Sequence, residues 1–181
     1  QAKSTLLQLF LLCAFMKQDV LHVLAHTRRE YMGAILASSK EVALWYILVN
    51  DAEYRIGCQL PLDIESYLVF LLMRYTRKRE MAGSVLSIEF MEALNFRGAE
   101  RKSALKEVGD TCLLYAGLFP KRAKRLRVPD DYFANMGRGA YRLLSSATGD
   151  GFQDVYASLS GEFVFLSRVL AATRTVEKSL Q

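Results

Sequence analysis

Two histidines and a glutamate have the spacing of metal ligands on a helix. His22, His26 and Glu30 are separated by four residues each, so a helix would place their side chains on one face. Imidazole groups at this spacing can hold a zinc ion. The chain has only these two histidines, and their face lies opposite the apolar stripe that contains Val20 and Leu24. The sequence therefore favours a solvated helix face here over a metal site.

A pair of glutamates has a spacing found in di-iron helical bundles. Glu89 and Glu92 are three residues apart, but such centres also need Glu-x-x-His elements on partner helices, and the sequence has none. The phosphate-binding patterns GxxxxGK[ST] and GxGxxG do not occur either. A nucleophile–base pair would have to use His22 or His26, and neither lies in a recognisable serine or cysteine motif. The sequence therefore predicts no cofactor and favours a non-enzymatic protein.

Asp110 is the carboxylate with the least favourable neighbours, because it follows Gly109 within an otherwise apolar stretch. A buried carboxylate without a partner would be costly. Three roles are open: an acid that faces a ligand, a side chain that faces solvent, or a buried anchor for groups on a facing helix. We favour a structural role, with Arg138, Tyr132 and Tyr141 as the candidate partners of an anchor.

Glycines in the same part of the chain predict close contact between helices. Gly109, Gly117, Gly137 and Gly139 each cost about 1 kcal/mol of helix propensity if they lie within helices. A folded chain tolerates this cost where backbones approach closely or where a turn needs a positive φ. We therefore expect the helices before and after residues 121–127 to pack closely.

The excess positive charge of the chain is concentrated in one stretch. Residues 111–142 carry seven basic and two acidic side chains, an excess of +5 that equals the net charge of the whole chain. Five of these cations form the basic connector, residues 121–127: Lys121, Arg122, Lys124, Arg125 and Arg127. Such a surface could bind nucleic acid, anionic lipid or an acidic protein, or could simply keep the protein soluble. No aromatic residue interleaves with these cations, so base stacking is unsupported.

Apolar periodicity predicts an all-α protein of about seven or eight helices. Helices are expected over 18–37, from about 42 to Gly57, from Pro61 and Asp63 to about 76, over 84–94 and over 101–118. The basic connector would form a short turn or helix. Pro129 suits the first position of a helix that continues to about Ser146. A last helix would carry one stripe from Phe152 to Thr173.

The N-terminal stretch STLLQLFLLCAFM has the length of the apolar part of a signal peptide, but no small-x-small cleavage site follows it. Met16 could be a natural start. We therefore expect residues 1–15 to be an apolar extension or a first helix, and residues 16–181 to be a single helical domain. No apolar run reaches the roughly 18 residues of a membrane span. Three widely spaced cysteines favour reduced thiols in the cytoplasm.

Two segments in the middle of the chain resemble a known pattern. GDTCLLYAGLFP at 109–120 and VPDDYFANMGRGAY at 128–141 are similar to a family of uncharacterised bacterial helical proteins. Its members share a G-D…AG-F-P segment and then a V…Y…MG…AY segment after a basic linker. The resemblance covers about 17–170 and is strongest over 105–144. It implies a bacterial cytosolic origin and a helical fold, and it implies no activity, cofactor or catalytic residue.

Three functions remain open at this point. The leading expectation is a non-enzymatic accessory protein that acts through contacts with another protein or with a second copy of itself, as a homodimer. The second is a protein that binds nucleic acid or an anionic surface through the basic connector. The third is a carrier of a small ligand, with a pocket between helices rich in phenylalanine and tyrosine.

Overall fold

The structure, a computed structural model, describes residues 40–77, 86–149 and 151–177. The chain divides into two compact units, Gln1–Leu44 and Trp45–Gln181. Only residues 40–44 of the first unit are described, so the helix packing reported below is that of the second. The predicted helix at 18–37, the predicted boundary between residues 15 and 16, and His22, His26 and Glu30 all lie outside the described residues.

The described chain forms seven helices of ten residues or more, one helix of six residues, and no strand. The prediction of an all-α helical bundle is confirmed. In chain order the helices are α1 (Lys40–Ile56), α2 (Leu62–Arg77), α3 (Leu86–Asn95), α4 (Gly98–Leu118), α5 (Pro120–Arg125), α6 (Tyr132–Ala147), α7 (Phe152–Gly161) and α8 (Phe163–Glu177).

Two buried carboxylates fasten α1 to α2. Glu53 accepts a hydrogen bond from the backbone N–H of Leu60 at 2.7 Å, which fixes the loop between the helices. Glu65 accepts one from the Asn50 side-chain amide at 2.6 Å. Only 2% of either glutamate is exposed. Because buried polar groups are costly unless they are hydrogen-bonded, these bonds stabilise one arrangement of the two helices.

Helix α4 is the most enclosed element, with every residue from Val108 to Tyr115 buried. It packs against α3, α6 and α8, while α6 also packs against α7. A helix that is surrounded on most sides needs small residues where its neighbours come closest. A methyl group at Gly109 would lie 2.7 Å from the Tyr141 ring of α6, and one at Gly137 would lie 2.3 Å from the Phe163 ring of α8. The glycines thus permit the close helix contacts.

The predicted single helix over Phe152–Thr173 is wrong, because the structure has two helices there. The axes of α7 and α8 differ by 83°. The apolar stripe continues across the break, so periodicity alone does not reveal it. Helices α7 and α8 pack against different helices: α7 packs mainly on α6, whereas α8 packs mainly on α4. A straight helix could not follow both surfaces.

The predicted start of the next-to-last long helix at Pro129 is also wrong. Asp130 and Asp131 form a turn closed by a 3.0 Å hydrogen bond from the Tyr132 N–H to the Pro129 carbonyl, and α6 begins at Tyr132. The first helical hydrogen bond runs from the Asn135 N–H to the Asp131 carbonyl at 2.8 Å. Proline therefore belongs to the turn that precedes the helix.

Within the described ranges, no single helix has both the length and the apolar character needed to cross a membrane. By length and composition alone, α7 and α8 meet that requirement only as a sharply bent pair.

Candidate ligand-binding site

The Asp110 carboxylate lies at the meeting point of α2, α4 and α6. Its side chain is fully buried. Oδ1 accepts hydrogen bonds from the hydroxyls of Tyr67 at 2.5 Å and Tyr141 at 2.7 Å. Oδ2 accepts one from Lys106 Nζ at 2.6 Å and another from Nη2 of Arg74. The sequence-based candidates Asp110 and Tyr141 are therefore brought together.

Helical periodicity explains why these side chains converge. Lys106 and Asp110 are four residues apart on α4, and Tyr67 and Arg74 are seven apart on α2, so each pair shares one helix face. Tyr141 approaches from α6 across Gly109, where a side chain would collide with its ring. The glycine next to Asp110 therefore leaves the space through which the Tyr141 hydroxyl reaches the carboxylate.

The hydrogen-bonding capacity of Asp110 is fully used. A carboxylate offers about four acceptor positions, and four donors occupy them. Arg74 also pairs with Glu107, with 3.1 Å between Nη1 and Oε2. The arrangement thus fixes two half-buried cations, Arg74 and Lys106, against the buried Asp110 and the partly exposed Glu107. An ionised carboxylate can remain buried only with such compensation.

Three tyrosine rings form the apolar side of this cluster. The Tyr67 ring meets those of Tyr141 and Tyr156 edge to face, with centroids 6.3 and 6.1 Å apart. The rings of Tyr141 and Tyr156 are stacked with an angle of 17° between their planes. Burial, and secondly the charge of Asp110, raises the pKa of Tyr67 and of Tyr141 well above 10.0. Both hydroxyls therefore stay protonated and keep donating.

These pKa shifts predict a loss of stability in alkaline solution. The unfolded chain releases the two phenolic protons near pH 10, whereas the folded chain retains them. The stabilisation is complete below that pH and falls as the pH rises above it. We expect Tyr141→Phe to make the melting temperature less sensitive to pH between about 9 and 11. Tyr54→Phe is the control, because 86% of Tyr54 is exposed. Equal pH profiles for the wild type and Tyr141→Phe would contradict the assignment.

A cavity of about 390 Å³ opens next to this cluster. Lys106 and Arg74 lie at its polar end, and Lys106 Nζ also lies 5.0 Å from the centre of the Tyr67 ring. Two phenylalanines of the lining are exposed, Phe70 by 56% and Phe152 by 60%. The complete lining is aromatic and aliphatic for the most part: Asp63, Ser66, Tyr67, Phe70, Leu71, Arg74, Lys106, Phe152, Val155 and Tyr156.

Arg138 does not join the Asp110 cluster. Its Nε donates to the carbonyl oxygen of Ser160 on α7 at 3.3 Å, and the Ser160 hydroxyl donates to the Arg138 carbonyl at 2.9 Å. The third candidate partner, Tyr132, packs its ring edge to face against Phe133 instead. The cations that do meet Asp110, Arg74 and Lys106, were not among the candidates from the sequence.

The basic connector lies apart from this cavity. Its first five residues belong to helix α5, and Lys121, Lys124, Arg125 and Arg127 are exposed. The Arg122 side chain lies outside what the structure describes. Arg127 adopts a left-handed conformation, with φ of 53°, which ends the connector in a tight turn.

A second cavity, of about 440 Å³, lies between the connector and helices α4, α6 and α8. Its charged lining residues, Lys124, Asp130 and Asp131, are exposed to solvent. The first cavity differs because its cations are half-buried and held by a buried carboxylate. Fixed polar groups orient a ligand better than mobile ones, so the first cavity is the stronger candidate site.

The described residues show no cluster of three or more metal-ligating side chains. Glu89 and Glu92 of α3 accordingly belong to no such group. Burial, and secondly the charge of Glu89, raises the pKa of the Cys112 thiol to about 12. A thiol with that pKa is protonated at neutral pH and is a poor nucleophile.

Comparison with known proteins finds no matching family model, curated protein or solved structure.

Proposed function

We propose that the protein binds a small organic molecule in the cavity beside Asp110 and acts as a carrier or sensor of that molecule. The observation that carries this proposal is the combination of apolar walls with a fixed polar end. Ligand pockets of about 300–1,000 Å³ are typically lined by hydrophobic and aromatic side chains, with a few well-placed polar groups. The cavity of about 390 Å³ has this composition.

Two exposed phenylalanines give the ligand a source of binding free energy. Phe70 of α2 and Phe152 of α7 both line the cavity and are exposed. Removal of apolar surface from water contributes about 25 cal/mol per Å². A ligand that covers both rings therefore gains affinity from surface that the free protein leaves in water.

The function expected of the basic connector, binding of nucleic acid or of an anionic surface, is ranked below ligand binding. The charge of the connector could attract nucleic acid, an anionic surface or an acidic protein. It provides no aromatic side chain of its own for stacking on bases. Protein contacts, including a homodimer, and a cytoplasmic location remain proposals that the cavity does not address.

Uptake of a neutral fluorescent probe tests the proposed function. We expect N-phenyl-1-naphthylamine to bind, and Phe152→Ala to weaken its binding about tenfold through loss of apolar contact area. The matched control is Ile88→Ala, because Ile88 is 55% exposed but lies outside the cavity lining. Binding would be measured by fluorescence titration.

Two results would contradict the proposal. In one, the probe would not bind to the folded wild-type protein. In the other, Phe152→Ala and Ile88→Ala would reduce its affinity equally, which would place the probe on the general surface. Circular dichroism of each variant checks that the fold is retained.

A further inference from the structure

The charges at the polar end of the cavity indicate which class of ligand it takes. We infer that the ligand is an organic anion, a carboxylate with an aromatic or aliphatic body, and that Lys106 binds its charged group. This inference rests on the proposed function and adds the chemical class of the ligand.

Asp110 cannot serve as the counter-ion of a cationic ligand. Both of its oxygens already accept two hydrogen bonds each, and its side chain is fully buried. A cation that entered the cavity would instead meet Lys106 and Arg74. Like charges at short range repel, so the half-buried pair opposes cations.

Lys106 retains hydrogen-bonding capacity that faces the cavity. An ammonium group has three N–H donors, and the structure assigns one of them to Asp110. The side chain is 34% exposed and belongs to the cavity lining. Arg74 is more fully engaged, since it pairs with both Asp110 and Glu107. Lys106, which has a single carboxylate partner, is therefore the less constrained of the two cations and the better placed to bind a ligand.

The one carboxylate in the cavity lining, Asp63, is in a poor position to oppose an anion. Asp63 lies in the first turn of α2, is exposed, and accepts a hydrogen bond from the Ile64 N–H at 3.0 Å. Solvent screens an exposed charge more strongly than a half-buried one. The carboxylates that balance the two cations, Asp110 and Glu107, do not line the cavity. An anionic group in the cavity thus meets Lys106 first, with its apolar body against Tyr67, Tyr156 and the two phenylalanines.

A pair of ligands that differ only in charge tests this inference. 2-Naphthoate and 2-naphthamide share the same aromatic body, and their affinities would be measured by calorimetry or by displacement of the neutral probe. We expect naphthoate to bind at least about tenfold more tightly than naphthamide. Lys106→Met should abolish this preference, because methionine keeps an unbranched apolar stem without the ammonium group.

Lys102→Met is the matched control. Lys102 lies one turn earlier on α4, is half-buried, and does not line the cavity. This variant should keep the preference for naphthoate. Binding of the neutral probe to Lys106→Met shows that the cavity itself is intact in that variant.

The remaining outcomes separate the two proposals. Equal affinities for naphthoate and naphthamide, or a preference for naphthoate that survives Lys106→Met, would overturn the anion inference and leave the binding function standing. Tighter binding of 2-naphthylmethylamine than of naphthoate would overturn it as well. If the wild-type protein bound neither the neutral probe nor any of these ligands, the proposed function itself would fail.

Discussion

Replacement of Asp110 by alanine is expected to lower the free energy of unfolding by about 3–5 kcal/mol. The substitution removes the acceptor of four hydrogen bonds at once. The buried Tyr141 hydroxyl would then lose its carboxylate acceptor, and Arg74 and Lys106 would repel each other without the anion between them. An unsatisfied buried donor alone costs about 1–3 kcal/mol. Urea denaturation followed by circular dichroism measures the loss.

Asp51→Ala is the control for this prediction. Asp51 pairs with Arg55 at 3.0 Å on the surface of α1, and its side chain is 38% exposed. Exposed pairs of this kind contribute less than about 1 kcal/mol. Asp110→Asn should have an intermediate effect, because its amide oxygen still accepts from the tyrosines while its NH₂ group faces the cations. If Asp110→Ala cost no more than Asp51→Ala, the buried anchor would be disproved.

Replacement of Gly137 by alanine should destabilise the protein by about 1–3 kcal/mol, although alanine is the better helix former. The new methyl group would lie 2.3 Å from a Phe163 ring carbon and 2.9 Å from the Cys112 Cβ. Phe163 is fully buried, so its ring has little room to move. The same denaturation experiment, or the melting temperature, measures the effect.

Gly139→Ala provides a matched control on the same helix. Its methyl group would meet only Phe90, at an ordinary distance of 3.7 Å. We expect this variant to be more stable than the wild type by up to about 1 kcal/mol, because alanine has the higher helix propensity. Phe163→Leu should partly rescue Gly137→Ala by vacating space. If Gly137→Ala and Gly139→Ala changed the free energy of unfolding equally, contact with Phe163 would not explain the loss of stability.

The sequence predicts most of the described helices because local signals mark their ends. Gly57 adopts a positive φ of 67° directly after α1, where a left-handed residue ends a helix. The break between α7 and α8 has a glycine, Gly161, at the end of α7, but this glycine does not adopt a positive φ. There the apolar period runs on from Leu159 to Phe163, and the bend follows from the different helices against which α7 and α8 pack.

The candidate site was only half predictable for a similar reason. Asp110 stands out in the sequence as a carboxylate among apolar residues next to a glycine. Its cationic partners do not stand out, because Arg74 looks like a cation placed favourably at the end of α2 and Lys106 looks like an ordinary surface lysine. Which helix faces Asp110 depends on the packing of α2 against the α4–α6 pair. No local pattern in the sequence indicates which helix faces Asp110.

The Asp110 cluster joins residues that are far apart in the sequence, and this affects when its contacts can form during folding. Its tyrosine and arginine partners lie 43, 36 and 31 residues away along the chain, on both sides of it. Contacts at such separations form only after the entropy of closing the intervening loops has been lost. Lys106 alone can pair early, within the same helix. The carboxylate therefore gives up its water only when three separate stretches of chain, from α2, α4 and α6, have come together.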